Sequence, residues 1–158
     1  MTETRFDLFD SELMTGFIRK FQGASRVVTE SSLPATVQEL VKIRASQVNG
    51  CGMCTDMHVK DALAAGEDQT RLFLVAAWRD ATVFTEAERA ALALAEEGTR
   101  IADAATGVTD ETWQAVRKHY DDEQVAALIA IVAVINAWNR LNVIAGTPAG
   151  SYQPGQFG

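Results

Sequence analysis

The chain has 158 residues, 47% of them hydrophobic and 22% charged, with a formal net charge of −7. This composition supplies one real core at an ordinary single-domain length and argues against disorder, so 1–158 is read as one domain. No run of Lys and Arg occurs, which argues against nucleic-acid binding, and the acidic balance chiefly serves solubility.

Residues 1–9 read as an N-terminal arm carrying Phe6, Leu8 and Phe9, which must dock on this chain or a neighbouring subunit. Asp10 or Ser11 can cap a first helix with Leu13, Met14, Phe17, Ile18 and Phe21 on one face, ended by Gly23. The polar and β-branched stretch Ser25–Ser32 reads as a loop. Pro34 suits the first turn of a second helix running to about Val48. A third helix runs from about Cys51 to Ala65 and is closed by Gly66. Asp68 caps a fourth, with Leu72, Phe73, Val75, Ala76 and Trp78 directed inward.

Thr85 and Glu88 form a capping box for a fifth helix, whose apolar stripe is Ala91, Leu92, Leu94 and Ala95. Thr109 or Asp110 starts a sixth, reaching about Tyr120. His119, near its end, reads as a structural cation at a helix C-terminus. Asp121 and Gln124 form a second capping box, for a seventh and most apolar helix ending near Val143. Its run Val125–Ala137 lies between Asp122, Glu123 and Arg140, too short to span a bilayer, and there is no secretory h-region. No membrane association is therefore expected. On that helix Trp138 reads as core or subunit interface, and Asn136, Asn139, Arg140 and Asn142 as carbonyl caps or subunit bridges. The tail 146–158 is expected to lack regular structure. No stretch alternates like a strand, so the expected fold is all-α, a compact bundle of about six to seven helices.

The chemistry concentrates between Glu39 and His58. Both cysteines, Cys51 and Cys54, and one of the two histidines lie there. Steps of three and four place 51, 54 and 58 on one helical face. Asn49-Gly50 stops one helix and starts the next, so the cysteines sit where free N–H groups and the helix dipole favour thiolate. The turn lets Glu39 face His58 and orient its ring as a proton acceptor for a cysteine one turn away. Three readings of the pair stand beside each other: buried inert thiols, a zinc site using Cys51, Cys54, His58 and Glu39, and a redox dithiol. The spacing favours the dithiol, because structural zinc sets separate their ligand pairs more widely. Two cysteines without a secretory leader suit a cytoplasmic dithiol.

Glu39, Cys51, Cys54 and His58, with eleven, two and three residues between them, resemble the alkylhydroperoxidase D (AhpD) family, the redox-active branch of the carboxymuconolactone decarboxylase superfamily. Asn49-Gly50, Asp61-Ala62, Leu72–Trp78 and the segment from Phe84 to Leu92 are similar as well. The likeness is sharpest over 37–95. Met53 departs from it, since well-studied members carry a histidine between the cysteines. The resemblance implies an AhpD-like helical bundle and homo-oligomers of dimer, trimer or hexamer type. It implies an antioxidant thiol peroxidase in which Cys54 attacks a hydroperoxide and Cys51 resolves the sulfenic acid as a disulfide. His58 and Glu39 would form the proton relay. Helix-dipole reasoning alone instead favours Cys51 as the more acidic thiol. A lipoyl group or a thioredoxin-like protein would be the dithiol reductant, and no metal, haem, flavin or other cofactor is called for. Lactone decarboxylation and a non-catalytic redox sensor or interaction module are the rival functions.

Overall fold

A computed structural model describes residues 4–157 and contains seven α-helices and, among the described residues, no strand. They are α1 (Glu12–Thr29), α2 (Ala35–Val48), α3 (Gly52–Ala64), α4 (Gln69–Leu74), α5 (Glu86–Thr99), α6 (Asp110–His119) and α7 (Asp122–Ala145). A 3₁₀ turn, Val75–Ala77, continues α4. The all-α bundle expected from the sequence is the observed architecture.

Helix α2 is the hub, packing against α3, α5 and α7. Its two sides feed two cores. Val37 and Val41 join Leu94 and Ala95 of α5, Val116 of α6 and Leu128 and Ile131 of α7. Leu40 and Ile43 join Ala62, Leu72, Val75, Trp78, Phe84 and Leu92. Helix starts follow side-chain capping: Ser11, Asp68 and Thr109 each accept the backbone N–H three residues on. The Thr85/Glu88 and Asp121/Gln124 capping boxes both close.

Four expectations need correction. Helix α1 does not stop at Gly23 but runs to Thr29, through the first half of the expected loop. Ser25 and Thr29 fold their hydroxyls onto the carbonyls four residues back, at 3.1 Å each, and so remain compatible with the helix. Val28 then anchors the last turn in the core. Pro34 occupies the N-cap of α2, one residue before the first turn. Phe73 and Ala76 point outward, Phe73 with 68% exposure, whereas Leu72, Val75 and Trp78 are buried. That spacing of three matches the 3₁₀ turn rather than an α-helix. On α1, Leu13 and Phe17 are exposed while Ile18 is buried and Phe21 packs at a tilt against Trp138, ring centroids 4.9 Å apart.

Helix α7 is longer than its apolar run suggested. Its 24 residues are long and apolar enough, by length and composition, to cross a membrane. It instead packs against α1, α2, α3 and α5 and buries Asn136 and Asn139. The tail after Gly146 has no regular structure yet is firmly docked on α3. Gly150 N–H donates to Asp56 (2.8 Å), Lys60 donates to the carbonyls of Gly150 (3.1 Å) and Tyr152 (2.9 Å), and the Tyr152 hydroxyl donates to Asp61 (2.8 Å). The described part of the N-terminal arm docks on the same end of its own chain, with the Arg5 and Phe6 N–H groups on the Ala145 carbonyl.

Candidate active site

The α2–α3 turn sets the site. Gly50 N–H donates to the Gln47 carbonyl (3.2 Å) and Cys51 N–H to the Ser46 carbonyl (2.9 Å). This is a Schellman closure, and it requires the left-handed φ of +64° that Gly50 supplies. Cys51 therefore ends one helix and caps the next. Its sulfur accepts the Cys54 backbone N–H at 3.3 Å, the place a Ser or Asp oxygen takes in an ordinary N-cap. Cys54 follows in the first turn of α3. Both are free thiols, 2% and 1% exposed, packed with Ala45, Ile135 and Trp138.

The two thiols are electrostatically unequal. The Cys51 thiol is pulled below its ordinary value by the hydrogen bond from the Cys54 side chain, against burial, with help from the Cys54 backbone N–H and the Asn139 amide. Cys54 is pushed well up, because it donates to Cys51, is buried, and faces the Cys51 charge; Asn139 and Asn142 oppose that rise. The pair thus gives up its first proton as a unit, with the charge resting on Cys51.

One turn further along α3, His58 Nδ1 lies 2.9 Å from Glu39 Oε2 on α2. Lys42 Nζ holds the other Glu39 oxygen at 2.7 Å. Burial pushes the Glu39 carboxyl up, but the His58 hydrogen bond and charge and the Lys42 ammonium outweigh it and hold the group at about 2. The turn thus brings Glu39 and His58 into direct contact, and the two cysteines into contact with each other. Neither thiol is hydrogen-bonded to the His58 ring. Among the described residues no three His, Cys, Asp or Glu side chains gather closely enough to hold a metal ion. His119 lies in the last turn of α6, away from this cluster.

Side chains of α7 that read from the sequence as carbonyl caps or subunit bridges also face the dithiol. Asn142 Nδ2 lies 3.5 Å from Cys54 Sγ and 3.1 Å from the Trp138 carbonyl. Asn49 Nδ2 donates to Asn136 Oδ1 (3.0 Å) and Asn139 Oδ1 (2.9 Å), and Asn139 Nδ2 donates to Ser46 Oγ (3.0 Å). Trp138 Nε1 donates to Ser25 Oγ at 3.0 Å. A signal was present: asparagines at 136, 139 and 142 share one face of the most apolar helix, where buried amides must find partners.

Comparison with known proteins places this geometry. The sequence profile of the carboxymuconolactone decarboxylase family matches residues 12–97, more than half of the chain. The uncharacterised protein YdfG of Bacillus subtilis (strain 168) is 43% identical over 122 residues, 77% of this chain and 82% of that protein. A protein of unknown function from Agrobacterium tumefaciens, put forward as the antioxidant defence protein AhpD, superimposes with a TM-score of 0.88 at 31% identity. That match covers 95% of this chain and 100% of the other. The debrominase Bmp8 shares the fold, with a TM-score of 0.75 at 20% identity over 88% of this chain and 76% of its own.

Proposed function

We propose that this chain, which belongs to the carboxymuconolactone decarboxylase family, is an AhpD-like thiol peroxidase of the cytoplasm with an antioxidant role. The observation that carries the reading is the pairing of a capped, charge-sharing dithiol, Cys51 and Cys54, with a carboxylate-oriented imidazole one turn along the same helix.

In this reading Glu39 fixes the His58 ring through Nδ1, leaving Nε2 to exchange protons. The Cys54 proton passes to that imidazole through an intervening water, since the ring does not touch the sulfur. The Cys54 thiolate attacks the near oxygen of a hydroperoxide, the O–O bond breaks, and the departing alkoxide or hydroxide takes a proton and leaves as alcohol or water. Cys51 then attacks the Cys54 sulfenic acid, expelling the second oxygen as water and closing the disulfide. An external dithiol, a lipoyl group or a thioredoxin-like protein, reduces it by exchange. Cys54 is taken as the attacking thiol from the family resemblance, while the resting charge on Cys51 makes that sulfur the ready nucleophile for the second step. The chemistry uses no metal or organic cofactor. Leu13 and Phe17 on α1 and Ile144 on α7, all exposed, support assembly into a homo-oligomer.

The test is a single turnover of the reduced protein with cumene hydroperoxide, following the intramolecular disulfide by mass spectrometry. Fast disulfide formation is expected in the wild type, with a trapped sulfenic acid in Cys51→Ser and no fast reaction in Cys54→Ser. The opposite pattern in the single variants would move the attack to Cys51. Oxidation at the rate of a free dithiol would sink the peroxidase reading.

A further inference from the structure

We propose that Asn142 is a catalytic residue of the dithiol centre, its amide N–H carrying the negative charge that develops on the Cys54 sulfur. The role assigned to Cys54 rests on the peroxidase reading above, but the donor itself is read from the geometry of α7 against α3.

The orientation of the amide is fixed by its neighbours. Asn142 Nδ2 faces the Trp138 carbonyl at 3.1 Å. A carbonyl only accepts, so the atom facing it must be the amino nitrogen. The same nitrogen lies 3.5 Å from Cys54 Sγ, and its second hydrogen is the one available to the sulfur. The layer beneath is equally determined. Ser46 Oγ donates to the Lys42 carbonyl at 2.7 Å, so it must accept from Asn139 Nδ2. Asn139 Oδ1 then faces the Asn49 amino group. Asn136 uses its own amino group on Thr99 Oγ1 (3.0 Å) and the Val132 carbonyl (2.8 Å), leaving its oxygen for Asn49. Every amide in this wall has one permitted orientation, and none of the buried side-chain polar atoms among the described residues lacks a partner. A wall so determined cannot turn to suit a neutral thiol.

The arrangement answers an asymmetry in α3. The backbone gives its capping N–H to Cys51 and none to the Cys54 sulfur. Left to α3 alone, the charge of the pair stays on Cys51 and Cys54 remains a poor nucleophile. Asn142, reaching in from α7, is a donor from outside the pair, 3.5 Å from the Cys54 sulfur. Its hydrogen bond strengthens as charge moves onto that sulfur, which is the property transition-state stabilisation requires. Asn139 also favours the charged form of both thiols, but its amide is committed to Ser46 and Asn49, which makes it first a positioning residue. It ties the α2–α3 turn to α7 through Ser46 and Asn49.

The experiment titrates one thiol at a time. Cys51→Ser leaves Cys54 as the titrating thiol and keeps α3 capped, since serine is a good N-cap. Thiolate absorbance against pH is then compared for Cys51→Ser alone and with Asn142→Ala or Asn142→Asp added. The expected result is a Cys54 midpoint raised by about one unit or more in the alanine variant, the loss of a hydrogen bond to a charged group. A larger rise is expected with aspartate, which keeps the shape and adds a like charge. With Cys51 present, Asn142→Ala should slow single-turnover disulfide formation about tenfold to a hundredfold. An unmoved midpoint in both variants overturns the proposal. So does an equal rise of Cys51, measured in the Cys54→Ser background, because that marks a loosened fold. A raised midpoint in proteins that all fail to react with peroxide upholds the donor and removes only the peroxidase reading.

Discussion

Glu39 and Glu96 show how one physical device serves two ends. Both are carboxylates drawn into helix packing, with side chains 22% and 12% exposed. For both, burial raises the carboxyl pKa and the surrounding donors more than reverse it. Glu96 on α5 accepts from Arg44 of α2 (2.6 Å), Arg79 (2.7 Å) and the Trp78 indole (3.1 Å). Glu39 accepts from Lys42 and His58. The difference lies in the partners. Guanidinium and indole do not exchange their protons near neutrality, so the Glu96 cluster is a staple between α2, α5 and the α4–α5 connection. Imidazole does exchange, and its second nitrogen is free of the carboxylate, so the Glu39 pair can move a proton. A low carboxylate pKa therefore does not identify a catalytic group by itself; what sets Glu39 apart in the proposed relay is the proton mobility of its partner.

The largest expected effect separates the two by rate. Glu39→Gln, and His58→Phe, should slow single-turnover disulfide formation about 10²-fold, the scale of general-base assistance, whereas Glu96→Ala should leave it near wild type. A comparable slowing in Glu96→Ala would erase the distinction. Stability should run the other way. Glu96→Ala strands Arg44 and the Trp78 indole and is expected to lower unfolding free energy in urea by about 3 kcal/mol, the low end of the range for a broken buried pair.

Acid titration gives a third comparison. The Glu39 pKa is depressed on folding, so its stabilising contribution is fully present above its unfolded value, 4.5, and is lost as pH falls toward about 2. The loss of stability across that window, followed by circular dichroism, should be shallower in Glu39→Gln by up to about 3 kcal/mol. The smallest effect is expected from Lys42→Met, which removes a partly exposed ion pair and leaves the His58 contact intact. A stability change under about 1 kcal/mol and little change in rate would place the imidazole, not the ammonium, as the partner that matters.

Much of this molecule was legible in the chain because its signals are local. The capping pairs Thr85/Glu88 and Asp121/Gln124 and the Asn49-Gly50 turn act over three or four residues, and each appears where it was read. Where tertiary packing intervened, the reading slipped. Ser25 looked like a loop residue, but its hydroxyl bonds the Phe21 carbonyl and accepts the Trp138 indole from 113 residues away, so the helix continues through it. Phe73 reads as a core residue, but α4 buries Leu72 and leaves Phe73 exposed, with the buried positions continuing through the 3₁₀ turn at Val75 and Trp78.

The site divides along the same line. The sequence by itself determined that the two cysteines would open a new helix and that Cys51, Cys54 and His58 would share one face, because these are consequences of helical spacing and of a glycine turn; that Cys51 is the cap itself came from the structure. The sequence also brought Glu39 within range, since the turn joins its helix to theirs. Only the tertiary structure decided which groups meet the sulfurs from outside. Asn142 lies 88 residues from Cys54, and Asn139 sits with it on a helix whose apolar pattern gives no sign of which neighbour it will meet. Their facing amides arise from the packing of α7 against α2 and α3, which no local pattern encodes, whereas the inequality of the two thiols comes first from their own hydrogen bond within α3.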